Sequence, residues 1–201
     1  MIMKIGIFGG NFDPVHLGHI KVAETVLNEL DIDEVWFIPA GKHPDKDDCM
    51  FSYEKRLQFL TKSIIYNPKF KVLDIDKNDN QKSYTIKLIQ NLMYKFPDYY
   101  FSFIIGADNV TKLKNWREYK KLLDIIEFIV IDRNINDKDD WLSLDYLSKL
   151  KFLKMPNCDI SSSMIRKKLQ SDESVKEFLC ESAYISIYNE HTMTKCGSSS
   201  E

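Results

Sequence analysis

The chain has 201 residues, of which 44% are hydrophobic, 12% aromatic and 29% charged, enough apolar material for one substantial core and too much for a disordered chain. Seven glycines and six prolines exclude collagen-like and low-complexity classes. With 28 Lys+Arg against 30 Asp+Glu the formal net charge is −2, so no global field holds nucleic acid or an anionic membrane, and any anion must be held by a local site.

In chain order, the apolar start MIMKIGIFGG is too short for a signal-peptide core, and residues 4–8 (KIGIF) read as a buried strand. Residues 17–30 place Ile20, Ala23, Leu27 and Leu30 at helical spacing. A second strand, residues 35–38 (VWFI), is stopped by Pro39. Residues 52–65 carry Leu57, Leu60 and Ile64 on one helical face, with Ser52 as N-cap. A short third strand at residues 71–73 precedes a helix over 83–96, with Ile86, Ile89 and Met93 inward. Residues 100–105 (YFSFII) and 127–131 (EFIVI) are nearly continuous apolar runs, as strands covered on both faces require, with a helix over 116–123 between them. A charged surface loop at 134–140, a last short strand at 152–155 and helices over 161–169 and 182–189 complete the series. The alternation predicts an α/β, Rossmann-like, doubly wound sheet of five or six mostly parallel strands with helices on both faces. It is expected to form a single domain over residues 1–190, followed by a flexible tail over 191–201. Cys49, Cys158, Cys180 and Cys196 spell no CxxC pair, and no segment approaches the about 18 apolar residues of a membrane span, so a reducing, cytoplasmic location is expected.

The first strand runs straight into GGNFDPVHLGH, residues 9–19, and then a helix. Two glycines at a strand end let backbone amides approach a ligand, and the helix start beyond presents unpaired N–H groups to an anion. His16 and His19, three apart at the helix start, place both rings on one side. A glycine pair alone reads as a turn, and His-x-x-His also suits two metal ligands, a reading that needs a further carboxylate or thiolate; only Asp13 lies nearby. Late in the chain, ISSSMIR, residues 160–166, opens a helix with three serines. Alone these are an N-cap run followed by a basic face of Arg166, Lys167 and Lys168.

Together the two segments resemble the HxGH nucleotidylyltransferases, His16 to His19 filling the first signature and Ile160 to Arg166 the ISSS-x-x-R signature, in the expected order. Within that superfamily, FIIGADNVTKLKNW (103–116), SYTI (83–86) and FIVIDR (128–133) are similar to segments of bacterial nicotinate mononucleotide adenylyltransferases, over roughly residues 3 to 190. The resemblance implies transfer of AMP from ATP to nicotinate mononucleotide, with Mg²⁺ accompanying ATP. The alternatives kept are an amide-accepting or dual-specificity enzyme, and a nucleotide-binding protein with reduced turnover.

It implies catalytic roles for His16, His19 and Arg166, and ATP contacts at Gly9, Gly10, Asn11, Phe12, Gly106, Asp108, Ile160, Ser161, Ser162 and Ser163. Lys46, like Lys42, reads equally as a phosphate contact and as plain surface charge. Thr85 and Trp116 are placed around the pyridine ring, with core filler the other reading of Trp116; no protein-held metal is expected. The partners implied are ATP and a pyridine mononucleotide, with no nucleic acid or membrane, in a monomer or small homo-oligomer. The chain departs from the family pattern at His43 and Asp45 in PAGKHPDK, at Asn11 where Thr or Ser is usual, and at Lys87 where Asp is common.

Overall fold

The computed structural model describes residues 2–41, 49–77, 84–132, 141, 144–155 and 158–197, with backbone alone for 194–197. Its strands are β1 (Met3–Gly10), β2 (Glu34–Pro39), β3 (Phe70–Val72), β4 (Tyr99–Gly106), β5 (Glu127–Asp132) and β6 (Leu150–Lys154). Its helices are α1 (Leu17–Glu29), α2 (Tyr53–Ile64), α3 (Thr85–Lys95), α4 (Tyr119–Ile125), α5 (Ser162–Gln170) and α6 (Glu181–Gly197). The six strands form one sheet in the order β3-β2-β1-β4-β5-β6, every pairing parallel.

Alternation along the strands decides which helices cover which face. Phe8, Phe37, Ile104, Ile129 and Ile131 point to one side, where they pack with Val22, Ala23 and Val26 of α1, Phe59 and Leu60 of α2, Ile165 and Leu169 of α5, and Ala183 and Ile187 of α6. Ile5, Ile7, Trp36, Ile38, Phe103, Ile105, Phe128 and Val130 point to the other, beneath Ile86, Ile89 and Leu92 of α3 and Leu122 of α4. Each such fully buried side chain contributes about 1.5 to 3 kcal/mol, so both helical layers are anchored by the strands. The strand order reverses between β1 and β4, which opens a crevice at their carboxyl ends.

Several local readings change. In α3 it is Leu92 that is buried, while Met93 is 41% exposed. The helix read over 116–123 begins only at Tyr119, because Glu118 adopts a left-handed conformation (φ 54°), leaving Trp116 in the preceding turn. The last strand runs from Leu150 to Lys154, and the third from Phe70 to Val72. The tail read from residue 191 is helical to Gly197, with His191 buried. Ser52 does cap α2, accepting the Lys55 N–H at 3.4 Å. The loop at 134–140 lies outside the described residues. Among the described residues, no helix is long and apolar enough to cross a membrane.

Candidate active site

Gly9 and Gly10 end β1 opposite Ile38 and Pro39 of β2. A Cβ on Gly9 would stand 3.0 Å from Cζ of Phe103, and one on Gly10 3.4 Å from Cζ of Phe12, so the missing side chain keeps the Gly9 backbone against a ring. The chain then turns: Phe12 takes a positive φ of 48°, sparsely allowed for a bulky residue. Its fully buried ring holds it there, edge-on to Phe8 at 5.5 Å and His19 at 5.0 Å and tilted against Phe37 at 5.8 Å. The Asp13–Pro14 peptide is cis.

His16 is the N-cap of α1, and the two histidines cap it reciprocally, the His16 N–H donating to His19 Nδ1 at 3.2 Å. An accepting Nδ1 leaves the proton of a neutral His19 ring on Nε2, directed away from the helix backbone. The rings lie against each other with centroids 3.7 Å apart, tilted by 32°. Gly18 permits this arrangement, since a Cβ there would lie 2.9 Å from His16 Nδ1 and 3.3 Å from Cys158 Sγ. His16 is itself only 3% exposed.

The second motif docks on the first. Ser161 caps α5 and accepts the Met164 N–H at 3.2 Å. The Ser162 hydroxyl donates to the Pro14 carbonyl at 2.9 Å, which turns that oxygen toward the loop. Arg166 donates through Nη1 to the Asp13 carbonyl at 2.7 Å and through Nη2 to Ser163 Oγ at 3.2 Å. The α5 start and the loop that leads into α1 thus belong to one assembly. Ile160 packs against the core beneath them.

Two residues without an assigned role brace this assembly. The Asp13 carboxylate is buried and accepts the N–H groups of Met50 (2.8 Å) and Phe51 (3.0 Å). Arg56 of α2, 3% exposed, donates to the carbonyls of Asn11 (2.6 Å), Ala40 (3.0 Å) and Phe51 (3.3 Å). Arg56 lies three and four residues before the buried Phe59 and Leu60, so a cation on the apolar stripe is the signal that marks it.

Across the crevice, Trp116 is half-buried, edge-on to Phe103 at 6.1 Å and Phe128 at 6.3 Å. The Phe103 ring that limits Gly9 therefore also supports Trp116. Thr85 is the first residue of α3, and Arg117 lies 4.8 Å over the ring of Tyr84, which draws the Trp116 turn toward the start of α3. Gly106 ends β4, and Asp108 folds back over it; a Cβ on Gly106 would lie 2.5 Å from Asp108 Oδ1. Asp108 is exposed and 3.6 Å from Lys112. Lys87 is exposed on the outer face of α3. The structure brings the histidines, serines and Arg166 together on one side of the sheet, and places Trp116 and the start of α3 on the other. Lys42, His43, Asp45, Lys46 and Arg133 lie outside the described residues.

Residues 7–168 match the family model described as cytidylyltransferase-like. A protein of Oceanobacillus iheyensis named probable nicotinate-nucleotide adenylyltransferase is 37% identical, over 89% of this chain and 91% of its own length. A protein of Clostridium novyi with the same name is 35% identical, over 90% and 94%. Among solved structures, nicotinic acid mononucleotide adenylyltransferase from Plasmodium falciparum complexed with NaAD superposes with a TM-score of 0.77 at 26% identity, covering 94% of this chain and 98% of the other. The same Plasmodium enzyme complexed with APC gives a TM-score of 0.75 at 25% identity, with the same coverage.

Proposed function

Because this chain belongs to the cytidylyltransferase-like family, and within it to the nicotinate-nucleotide adenylyltransferases, we propose that it transfers AMP from ATP to nicotinate mononucleotide, giving the dinucleotide and pyrophosphate. The observation that carries the reading is the union of two distant motifs: Ser162 and Arg166 bond directly to Pro14 and Asp13 of the loop that leads to His16 and His19. In this reaction a phosphate oxygen of the mononucleotide attacks the α-phosphorus in line with the departing pyrophosphate. Little covalent work falls to the protein, so orientation and charge stabilisation carry the rate.

His19 offers its Nε2 donor to the transferring phosphate, with the His16 ring packed against it. The amides at the start of α5, with Ser161 and Ser163, and the fork of Arg166 take the β- and γ-phosphates. Gly9, Gly10, Asn11 and Phe12 line the adenylate side, with Gly106 and Asp108 at the neighbouring strand end. Thr85 and Trp116 receive the pyridine ring on the opposite face of the sheet. The two substrates thereby meet end to end over the β1 and β4 termini, as in-line transfer requires. Mg²⁺ completes the reading as the companion of the ATP phosphates, where it neutralises charge on the departing pyrophosphate; among the described residues no group of three or more His, Cys, Asp and Glu side chains is gathered to cage a metal. Among the described residues Cys49, Cys158 and Cys180 form no disulfide, which suits a reducing cytoplasm.

The test is pyrophosphate release with ATP and a panel of phosphate acceptors, with the dinucleotide product identified by mass. Release that depends on nicotinate mononucleotide supports the reading. ATP binding without release for any pyridine mononucleotide would reduce the protein to a nucleotide binder.

A further inference from the structure

We propose that Asp13 is a positioning residue that holds the Arg166 guanidinium ready for the ATP polyphosphate before nucleotide arrives; this rests on the adenylyltransferase reading. The Asp13 side chain is 5% exposed, and a carboxylate removed from water persists only if its oxygens are matched by donors or a countercharge. Three come from two remote parts of the chain: the Phe51 N–H on Oδ1, the Met50 N–H on Oδ2, and Arg166 Nη1 at 3.6 Å from Oδ2. The same Nη1 donates to the Asp13 main-chain carbonyl at 2.7 Å, so one residue holds one end of the guanidinium through both its backbone and its side chain. Ser163 Oγ holds the other nitrogen. These contacts use part of the five-donor fork, and the Arg166 side chain is still 32% exposed, leaving donors for an anion.

An arginine on a free stem must give up its rotamer freedom as it grips a phosphate; one already held gives up little. The neighbouring buried charge shows the contrast. Arg56 steadies the same loop from the other side, through the carbonyls of Asn11, Ala40 and Phe51, and makes no bond to Arg166. A purely structural brace at Asp13 would behave like Arg56, whereas a positioning residue acts through Arg166.

Four arginines make this directly observable in the full chain: Arg56, Arg117, Arg133 and Arg166. ¹⁵N relaxation of their Nε–H groups without nucleotide should find Arg166 nearly as ordered as Arg56. In Asp13→Asn, Arg166 should loosen more than Arg56, which shares only the Phe51 segment with the changed side chain. Motion of Arg166 well above that of Arg56 in the native protein overturns the proposal, even if Asp13→Asn does not fold. Affinity for a non-hydrolysable ATP analogue supplies the second measurement. Asp13→Asn should weaken it about tenfold in the native background and less than about twofold in an Arg166→Ala background, while the loss from Arg56→Met should be the same in both. Equal Asp13→Asn losses in the two backgrounds refute the role. Neither measurement needs the acceptor, so a native protein that releases no pyrophosphate would sink adenylyl transfer and leave the Asp13 result standing or falling separately.

Discussion

Replacing Gly18 by Ala separates the geometry of the histidine pair from the stability of the fold. The added Cβ would lie 2.9 Å from His16 Nδ1, 3.0 Å from its Cε1 and 3.3 Å from Cys158 Sγ, where ordinary contact begins at 3.4 Å. The His16 ring must therefore retreat by about 0.5 Å, and its contact with the His19 ring shifts with it. Overpacking of this kind costs about 1 to 3 kcal/mol, offset by about 1 kcal/mol because Ala favours helix over Gly. The net loss, at most about 2 kcal/mol, lowers Tm by no more than about 8 °C in a chain of this size. Turnover is far more sensitive, since a misplacement of about 1 Å costs up to about 10²-fold. Calorimetry and a pyrophosphate-release assay at saturating substrates read the two quantities on one preparation. A small Tm change with a kcat drop of about tenfold or more is expected; turnover within about twofold of native would show that the contact between the two rings carries no catalytic weight.

His19→Ala should lower kcat by about 10²-fold or more while ATP binding changes less, because the donor acts chiefly on charge that develops during transfer; near-native turnover rejects the assignment. Arg166→Lys should also be damaging in the same assay, since a point charge cannot reproduce the two-nitrogen grip. Nicotinate mononucleotide should exceed the amide by about tenfold or more in kcat/KM, the consequence of one mismatched buried donor, and the ratio should survive Lys87→Ala because that side chain is on the outer face of α3; equal efficiencies would indicate dual specificity. Burial pushes the Cys180 thiol up, so at pH 8 the folded protein holds it more protonated than the unfolded chain does, and iodoacetamide should modify Cys180 more slowly in native protein than in urea. Equal rates, read by mass spectrometry, would contradict that placement.

Much of this was legible because strands buried on both faces and two compact motifs write themselves locally. The runs at β4 and β5 needed no partner to be recognised, and His16 and Ser161, the N-caps of α1 and α5, stand where a motif meets a helix start; Arg166, one turn inside α5, is singled out only through the family resemblance. The misreadings have physical causes. Leu92 and Met93 are adjacent, and Ile86 and Ile89 accommodate either in the same apolar stripe, so helix phase was undetermined until the sheet chose Leu92. Glu118 turns left-handed without a glycine or proline to announce it. Asp13 and Arg56 find most of their partners among backbone amides and carbonyls, which the identity of a residue does not encode. The segment after residue 190 has no apolar period, and helix α6 continues through it with His191 packed inside.

The bond from Ser162 to Pro14 spans 148 positions and that from Arg166 to Asp13 spans 153. A growing polypeptide thus displays the glycine loop and both histidines while their counterpart is still unmade, and closing so long a loop is entropically slow to reward. On the proposed reading, in which the α5 start takes half of the phosphate contacts, ATP would lend its binding energy only to molecules in which α5 has already docked. Nucleotide would then act as a late clamp on folding, gripping little of a nascent chain that ends before residue 161.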